Sequence, residues 1–123
     1  MGTFFHDIRL IGQDGQTADL RGLVDPGALY SLIPGSVLSE LGVKPFGSMN
    51  VQFANGDVQR WNRGLVEAEM LGQRVPILVF FGSDDERVLI GAHTLEAFAY
   101  DVDVIKGELV PKSAAPMMGY RLV

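Results

Sequence analysis

In the stretch Gly22 to Pro34, GLVDPGALYSLIP, an aspartate stands between an apolar lead and an apolar return. Gly22, Leu23 and Val24 run into Asp25. Pro26 and Gly27 then turn the chain, and Ala28, Leu29, Leu32 and Ile33 lead away. A strand that ends in a carboxylate, turns sharply and returns to apolar sequence directs that carboxylate inward, where it can give or take a proton. Asp-Pro-Gly is equally a good β-turn sequence, because Pro fixes φ and Gly accepts positive φ, and such turns usually sit in water. Local sequence leaves both readings open. The other chemistry-bearing residues lack partners. Asp84-Asp85-Glu86 reads as a solvated acidic loop with no further ligands at coordinating spacing. His6 and His93 are isolated, and His93 fits the start of a helix. Ser31 and Ser36 lie in no nucleophile-elbow sequence, and Gly12, Gly15 and Gly22 form no phosphate-binding loop. Asp101 and Asp103 fit a solvent-facing strand edge.

The elements that must position Asp25 follow from turn signals and periodicity. Phe4 to Ile11, a turn at Gln13-Asp14-Gly15-Gln16 and Thr17 to Val24 read as a hairpin, which puts Asp25 at the end of a strand. Leu29 to Ile33 reads as another strand. Pro34, at a first helical position, opens a short helix that Gly42 stops. Met49 to Phe53 and Val58 to Trp61 flank Asn55-Gly56, the strongest hairpin turn in the chain. Gly64 to Met70 alternates, Gly72 turns, and Arg74 to Phe81 is an almost continuous apolar run that predicts a strand buried on both faces. After the charged loop Gly82 to Arg87 come a short strand, Val88 to Gly91, and a helix, Thr94 to Tyr100, with Thr94 as its cap. Val102 to Ile105 and Glu108 to Pro111 form a last hairpin. Short strands with two short helices, and no helices of the length that parallel crossovers need, predict an all-β, barrel-like domain.

Composition narrows the function classes. At 123 residues, 47% hydrophobic and 20% charged, the chain fits a single folded domain and not a disordered one. Its net charge of −5 disfavours nucleic acid or an anionic membrane surface as a partner. The absence of cysteine excludes a disulfide framework and thiolate zinc sites. The beginning, MGTFFHDIRLIGQDG, lacks the pattern of a secretory signal, and the longest apolar run, Val75 to Phe81, is too short to span a bilayer. A cytoplasmic location is expected.

Taken together, LVDPGALYSLIP, NVQFANGDVQRW and VLIGAHTLEAF resemble the retropepsin-like aspartic proteases. That family reads apolar-apolar-Asp-Thr/Ser-Gly-Ala early in the chain, then has a hairpin flap, then apolar-apolar-Gly before a helix. The likeness spans about residues 3–111 in the same order and departs at Pro26, which takes the Thr/Ser position. It implies a closed acid-protease barrel over residues 1–123, with the tail 112–123 as a possible interface strand. It implies Asp25 as the catalyst, Pro26, Gly27 and Ala28 as the active-site loop, and Leu89, Ile90 and Gly91 as the second motif. Phe53, Ala54, Asn55, Gly56, Asp57 and Trp61 become groove and flap residues. No cofactor or metal is implied.

The chemistry that fits is amide hydrolysis by paired carboxylates. At about 3 Å the two cannot both ionise, so they share a proton: one activates a water and the other polarises the scissile carbonyl. Only one Asp-x-Gly has the apolar lead; Asp14-Gly15 sits in a polar turn. The second carboxylate therefore comes from a second copy across a twofold axis. The resemblance implies interleaved terminal strands, here Thr3 to Leu10 and Tyr120 to Val123. Pro26 lacks both the hydroxyl and the N–H that would tie the two loops together, a loss of about 2–6 kcal/mol over four bonds. The expected function is an aspartic endopeptidase acting as a homodimer on peptides. Two alternatives stay open: a silent member of the same fold that binds peptides or only dimerises, and a small β-barrel interaction module whose Asp-Pro-Gly is a plain turn.

Overall fold

A computed structural model describes residues 4–114. The interleaving strand assigned to Tyr120 to Val123 lies outside them, as does Thr3.

Strands β1 (Phe5–Ile11) and β2 (Thr17–Val24) form the expected hairpin, with Phe5 opposite Leu23 and Ile11 opposite Thr17. β3 (Ser31–Pro34) leads into helix α1 (Gly35–Glu40). β4 (Gly47–Gln52), β5 (Val58–Met70) and β6 (Gln73–Gly82) form an antiparallel meander. β7 (Leu89–Ile90) precedes helix α2 (Ala92–Ala97), and β8 (Tyr100–Asp103) pairs with β9 (Glu108–Pro111) as a separate small sheet.

The main sheet runs β1-β2-β7-β3-β6-β5-β4, and an additional pairing of β1 with β5 bends it into a ring with β4 attached outside. Closure removes two free edges, which is how small all-β folds avoid edge-to-edge association. Inside lie Ile8, Leu10, Val24, Ile33, Val66, Ala68, Ile77, Val79 and Ile90, plugged by Leu38 of α1 and by Leu95 and Phe98 around α2. The alternation of these residues along each strand is the period of two that places one face in the core.

Several expectations are corrected by the structure. Val58 to Trp61 and Gly64 to Met70 are one strand, not two. Gly64 lies inside it: a Cβ there would stand 2.8 Å from the Phe81 ring, so glycine admits the aromatic. β5 thereby serves three neighbours, pairing with β4 through Val58 to Arg63, with β6 from Arg63 onward, and with β1 through Glu67 to Glu69. β6 is not buried on both faces. Ile77 and Val79 are buried, but Arg74 and Pro76 on the same strand are exposed. Leu29 and Tyr30 are not strand; the Leu29 carbonyl accepts from the first turn of α2 instead of a ladder partner. Pro34 is the residue before α1 and not its first helical residue. The second helix starts at Ala92, with Gly91 extended before it, so Thr94 lies inside the helix and does not cap it. Asp103 lies at the end of an edge strand as expected, and its carboxylate also accepts the Ile105 and Lys106 N–H groups, closing the β8–β9 turn.

Candidate active site

Asp25 directly follows β2. Its N–H donates to the Ile90 carbonyl at 2.9 Å, which continues the parallel β2–β7 pairing by one residue. Beyond it the chain turns on itself. The Gly27 N–H donates to Asp25 Oδ1 at 3.0 Å, and the Ala28 N–H to the Asp25 carbonyl at 3.1 Å. This is the Asx-type turn that Asp favours by bonding its own backbone two residues on. Here it fixes the rotamer of the carboxylate. Asp25 is half-buried and Pro26 and Gly27 are exposed, so the turn is neither sealed in the core nor free in water.

The segment Ile90 to His93 holds this turn from behind. Gly91 passes so close that a Cβ would stand 2.5 Å from the Tyr30 carbonyl oxygen and 2.9 Å from that of Ala28. Glycine is required there for close approach of backbone to backbone. The first N–H groups of a helix have no partner within it. In α2 the Ala92 N–H donates to the Ala28 carbonyl at 2.8 Å and the His93 N–H to the Leu29 carbonyl at 2.9 Å. Two sets of otherwise orphaned groups satisfy each other. Ser31 Oγ accepts from the Gly91 N–H at 3.1 Å and lies 2.6 Å from Thr94 Oγ1.

Opposite stands the β4–β5 hairpin. Its turn differs from the two-residue type expected of Asn55-Gly56. Only Gly56 has positive φ, +92°, and the Phe53 N–H reaches the Asp57 carbonyl, so Ala54, Asn55 and Gly56 make a three-residue turn. Asn55 Nδ2 donates to the Asp57 carboxylate, and Asn55 Oδ1 accepts from the Asp57 N–H.

Between loop and hairpin lies a cavity of about 570 Å³. Asp25, Gly27 and Ala28 line its base, residues 49–54 and Trp61 its hairpin side, and Tyr30, Leu32, Phe80 and Leu89 its inner wall. Four aromatic contacts run across that wall. Phe53 meets Trp61 at 5.4 Å between ring centroids, Trp61 meets Phe80 at 5.8 Å, Phe80 meets Tyr30 at 5.1 Å, and Tyr30 meets His93 at 5.5 Å. Tilted and edge-to-face geometries of this kind add to area burial and stiffen the wall.

The residues singled out from sequence divide in three. Asp25, Gly27, Ala28, Phe53, Ala54, Trp61 and Leu89 meet around the cavity. Ile90 and Gly91 lie behind the loop as its support. Pro26 and the turn residues Asn55, Gly56 and Asp57 do not line the cavity. Tyr30, Leu32, Phe80 and Glu86 also line the cavity without a signal of their own in the sequence, where Glu86 belongs to a charged loop. Sequence reasoning also missed Ser31 with Thr94, whose only signal was that two hydroxyls flank the two motifs.

A wider depression of about 700 Å³ lies on the outer face of β1 and β2. Its charges are already matched. Arg9 Nε donates to Asp19 Oδ1 at 2.7 Å and Arg21 contacts Asp7. The hydrogen bond from Arg9 holds the Asp19 carboxyl below its ordinary range. Among the described residues, no group of three or more His, Cys, Asp or Glu side chains gathers as a metal site.

A ring-shaped, strand-rich sheet with two short helices is the architecture of an acid-protease fold. The chain belongs to the aspartyl protease family, whose pattern matches residues 11–94. Solved structures agree on the fold. The protease of simian foamy virus (mac) superposes with a TM-score of 0.55 at 15% identity, over 76% of this chain and 92% of that one. A retropepsin-like aspartic protease from Rickettsia conorii gives 0.52 at 19% identity, over 83% and 88%. The foamy viral protease-reverse transcriptase gives 0.54 at 20% identity, over 75% of this chain and 12% of that one. A comparison with curated proteins found no match.

Proposed function

We propose that this protein is an aspartic endopeptidase acting as a homodimer, with Asp25 of each copy at a shared centre. The observation that carries this reading is the Asp25 carboxylate, fixed by the Gly27 N–H at the base of a peptide-sized cavity. One carboxylate cannot both activate a water and protonate the carbonyl. A second copy placed against the exposed Pro26–Gly27 turn supplies the other. Water held between the two is deprotonated by the ionised Asp25, and the protonated Asp25 donates to the scissile carbonyl oxygen. The tetrahedral intermediate then collapses with proton transfer to the leaving amine.

Apolar exposure supports a partner on that side. Leu29 is 55% exposed and Ile105, in the β8–β9 turn, is 94% exposed. That turn lies near Phe4, whose carbonyl accepts from the Val24 N–H just before Asp25. The β4–β5 hairpin serves as the flap, with Phe53 and Trp61 presenting apolar surface to the substrate. The charged residues lining the cavity are Asp25 and Glu86, with no lysine or arginine among them. Extended peptides with bulky apolar side chains at the scissile bond and a basic residue nearby fit this lining.

The test is digestion of a diverse peptide mixture between about pH 3 and pH 7 by the wild type and by Asp25→Asn. Cleavage by the wild type that drops at least about a hundredfold in the variant is the expected result. The residues flanking the cut bonds then report whether basic side chains are favoured. Equal cleavage by both would return Asp25 to a plain turn. Absence of cleavage in a protein that sediments as a dimer would favour the second reading, a silent protease that binds peptides, for which Pro26 is the specific ground.

A further inference from the structure

Ser31 and Thr94 are the two fully buried polar side chains among the described residues, each at 0% exposure. They are 63 positions apart in sequence and 2.6 Å apart in space. Burying a hydroxyl costs free energy unless it is bonded, and alanine and valine would fill the same volume without that cost. The pair therefore requires a reason beyond filling the core. Its location supplies one. Ser31 ends the loop that Asp25 begins, and Thr94 lies in the first turn of the helix whose N–H groups hold that loop.

Three backbone links join the two segments: Asp25 N–H to the Ile90 carbonyl, Ala92 N–H to that of Ala28, and His93 N–H to that of Leu29. All three depend on how closely Gly91 approaches Tyr30. The Gly91 N–H donates to Ser31 Oγ, and the Ser31 and Thr94 hydroxyls are hydrogen-bonded to each other. The two hydroxyls thus set the distance at which the whole ladder closes. We propose that Ser31 and Thr94 are positioning residues for Asp25, locking its loop within one protomer. This inference rests on the protease reading for its kinetic consequence, but its structural consequence stands alone. It also gives Pro26 a context. A chain whose loop is locked from inside depends less on hydroxyl bonds across the dimer.

The experiment combines amide hydrogen exchange with kinetics on three variants. Thr94→Val keeps the shape and removes the bond, Ser31→Ala removes it from the other side, and Thr94→Ser restores a hydroxyl. In Thr94→Val and Ser31→Ala, exchange at the amides of Asp25, Gly91, Ala92 and His93 should rise about tenfold while the β5–β6 ladder is unchanged. In the active enzyme, kcat should fall about tenfold with KM nearly constant, because the groove walls are untouched. Thr94→Ser should return both readings toward wild type. Uniform acceleration across the sheet, or unfolding of both bond-removing variants, would reduce the pair to a structural staple and overturn the proposal. So would unchanged exchange at the four amides, or faster exchange with unchanged kcat. If the wild type cleaves nothing, the protease reading fails while exchange still decides whether the pair locks the loop.

Discussion

The two sides of the cavity are built on opposite principles. On the Asp25 side, the loop is held by backbone bonds to Ile90, Ala92 and His93 and by a buried hydroxyl pair. On the hairpin side, the turn around Asn55 and Gly56 bonds only within itself. Glycine marks both sides for different reasons. Gly91 has ordinary negative φ but no room, whereas Gly56 has φ of +92° and nothing within 4 Å of where a Cβ would be. The Asp25 loop is fixed by contact with a distant segment, whereas the hairpin tip is held by its own turn, with Phe53 and Trp61 at its base packed toward Phe80. Under the proposed function, the braced loop would present the reacting carboxylate and the hairpin would open and close over the substrate.

Breaking the rigid side should cost most. In Gly91→Ala the added methyl meets the Tyr30 backbone, which cannot retreat without opening the bonds from Ala92 and His93. A loss of about 3 kcal/mol or more is expected, read as a shifted urea midpoint or as failure to fold. A stable Gly91→Ala protein would show that the ladder is looser than its geometry. Pro26→Thr sharpens the comparison from the dimer side. Restoring a hydroxyl and an N–H at the exposed turn should tighten the proposed dimer by about thirtyfold or more and speed cleavage, as followed by sedimentation and peptide hydrolysis. No change in either would mean that the internal lock is sufficient and Pro26 is neutral. The smallest effect is expected on the hairpin side. Gly56→Ala strains one positive-φ residue in open solvent at about 1 kcal/mol. Its signature is faster amide exchange confined to residues 53–57, and a spread to the Asp25 loop would erase the distinction between the two sides.

Much of the fold was legible because its signals are local. The β1–β2 hairpin shows as alternation around a polar Gly-containing turn. The Asp25 turn shows as an apolar lead into Asp-Pro-Gly, and the second motif as Leu89-Ile90-Gly91. Misreadings arose where a residue acts through a partner distant in sequence. Asn62 and Arg63 look like a gap between two strands until β4 and β6 pair across them, and Thr94 looks like a cap until Ser31 is beside it. Leu71 offers no turn signal, yet it adopts φ of 56° beside Gly72. The Met70–Gln73 pairing of two long strands imposes that conformation on a leucine.

By itself, the sequence determined the strand-rich class, the order of the two motifs and the hairpin between them, and the singling out of Asp25. Each of these follows from periodicity, turn chemistry or spacing within a few residues. The tertiary structure alone decided which side chains line the cavity, that β5 joins the β4–β5 hairpin to the ring, and that Ser31 meets Thr94. Those are consequences of closing the sheet. When β1 pairs with β5 and β7 slots between β2 and β3, residues tens of positions apart come within bonding distance. No local propensity encodes such a meeting, because its free energy is realised only when the whole ring forms.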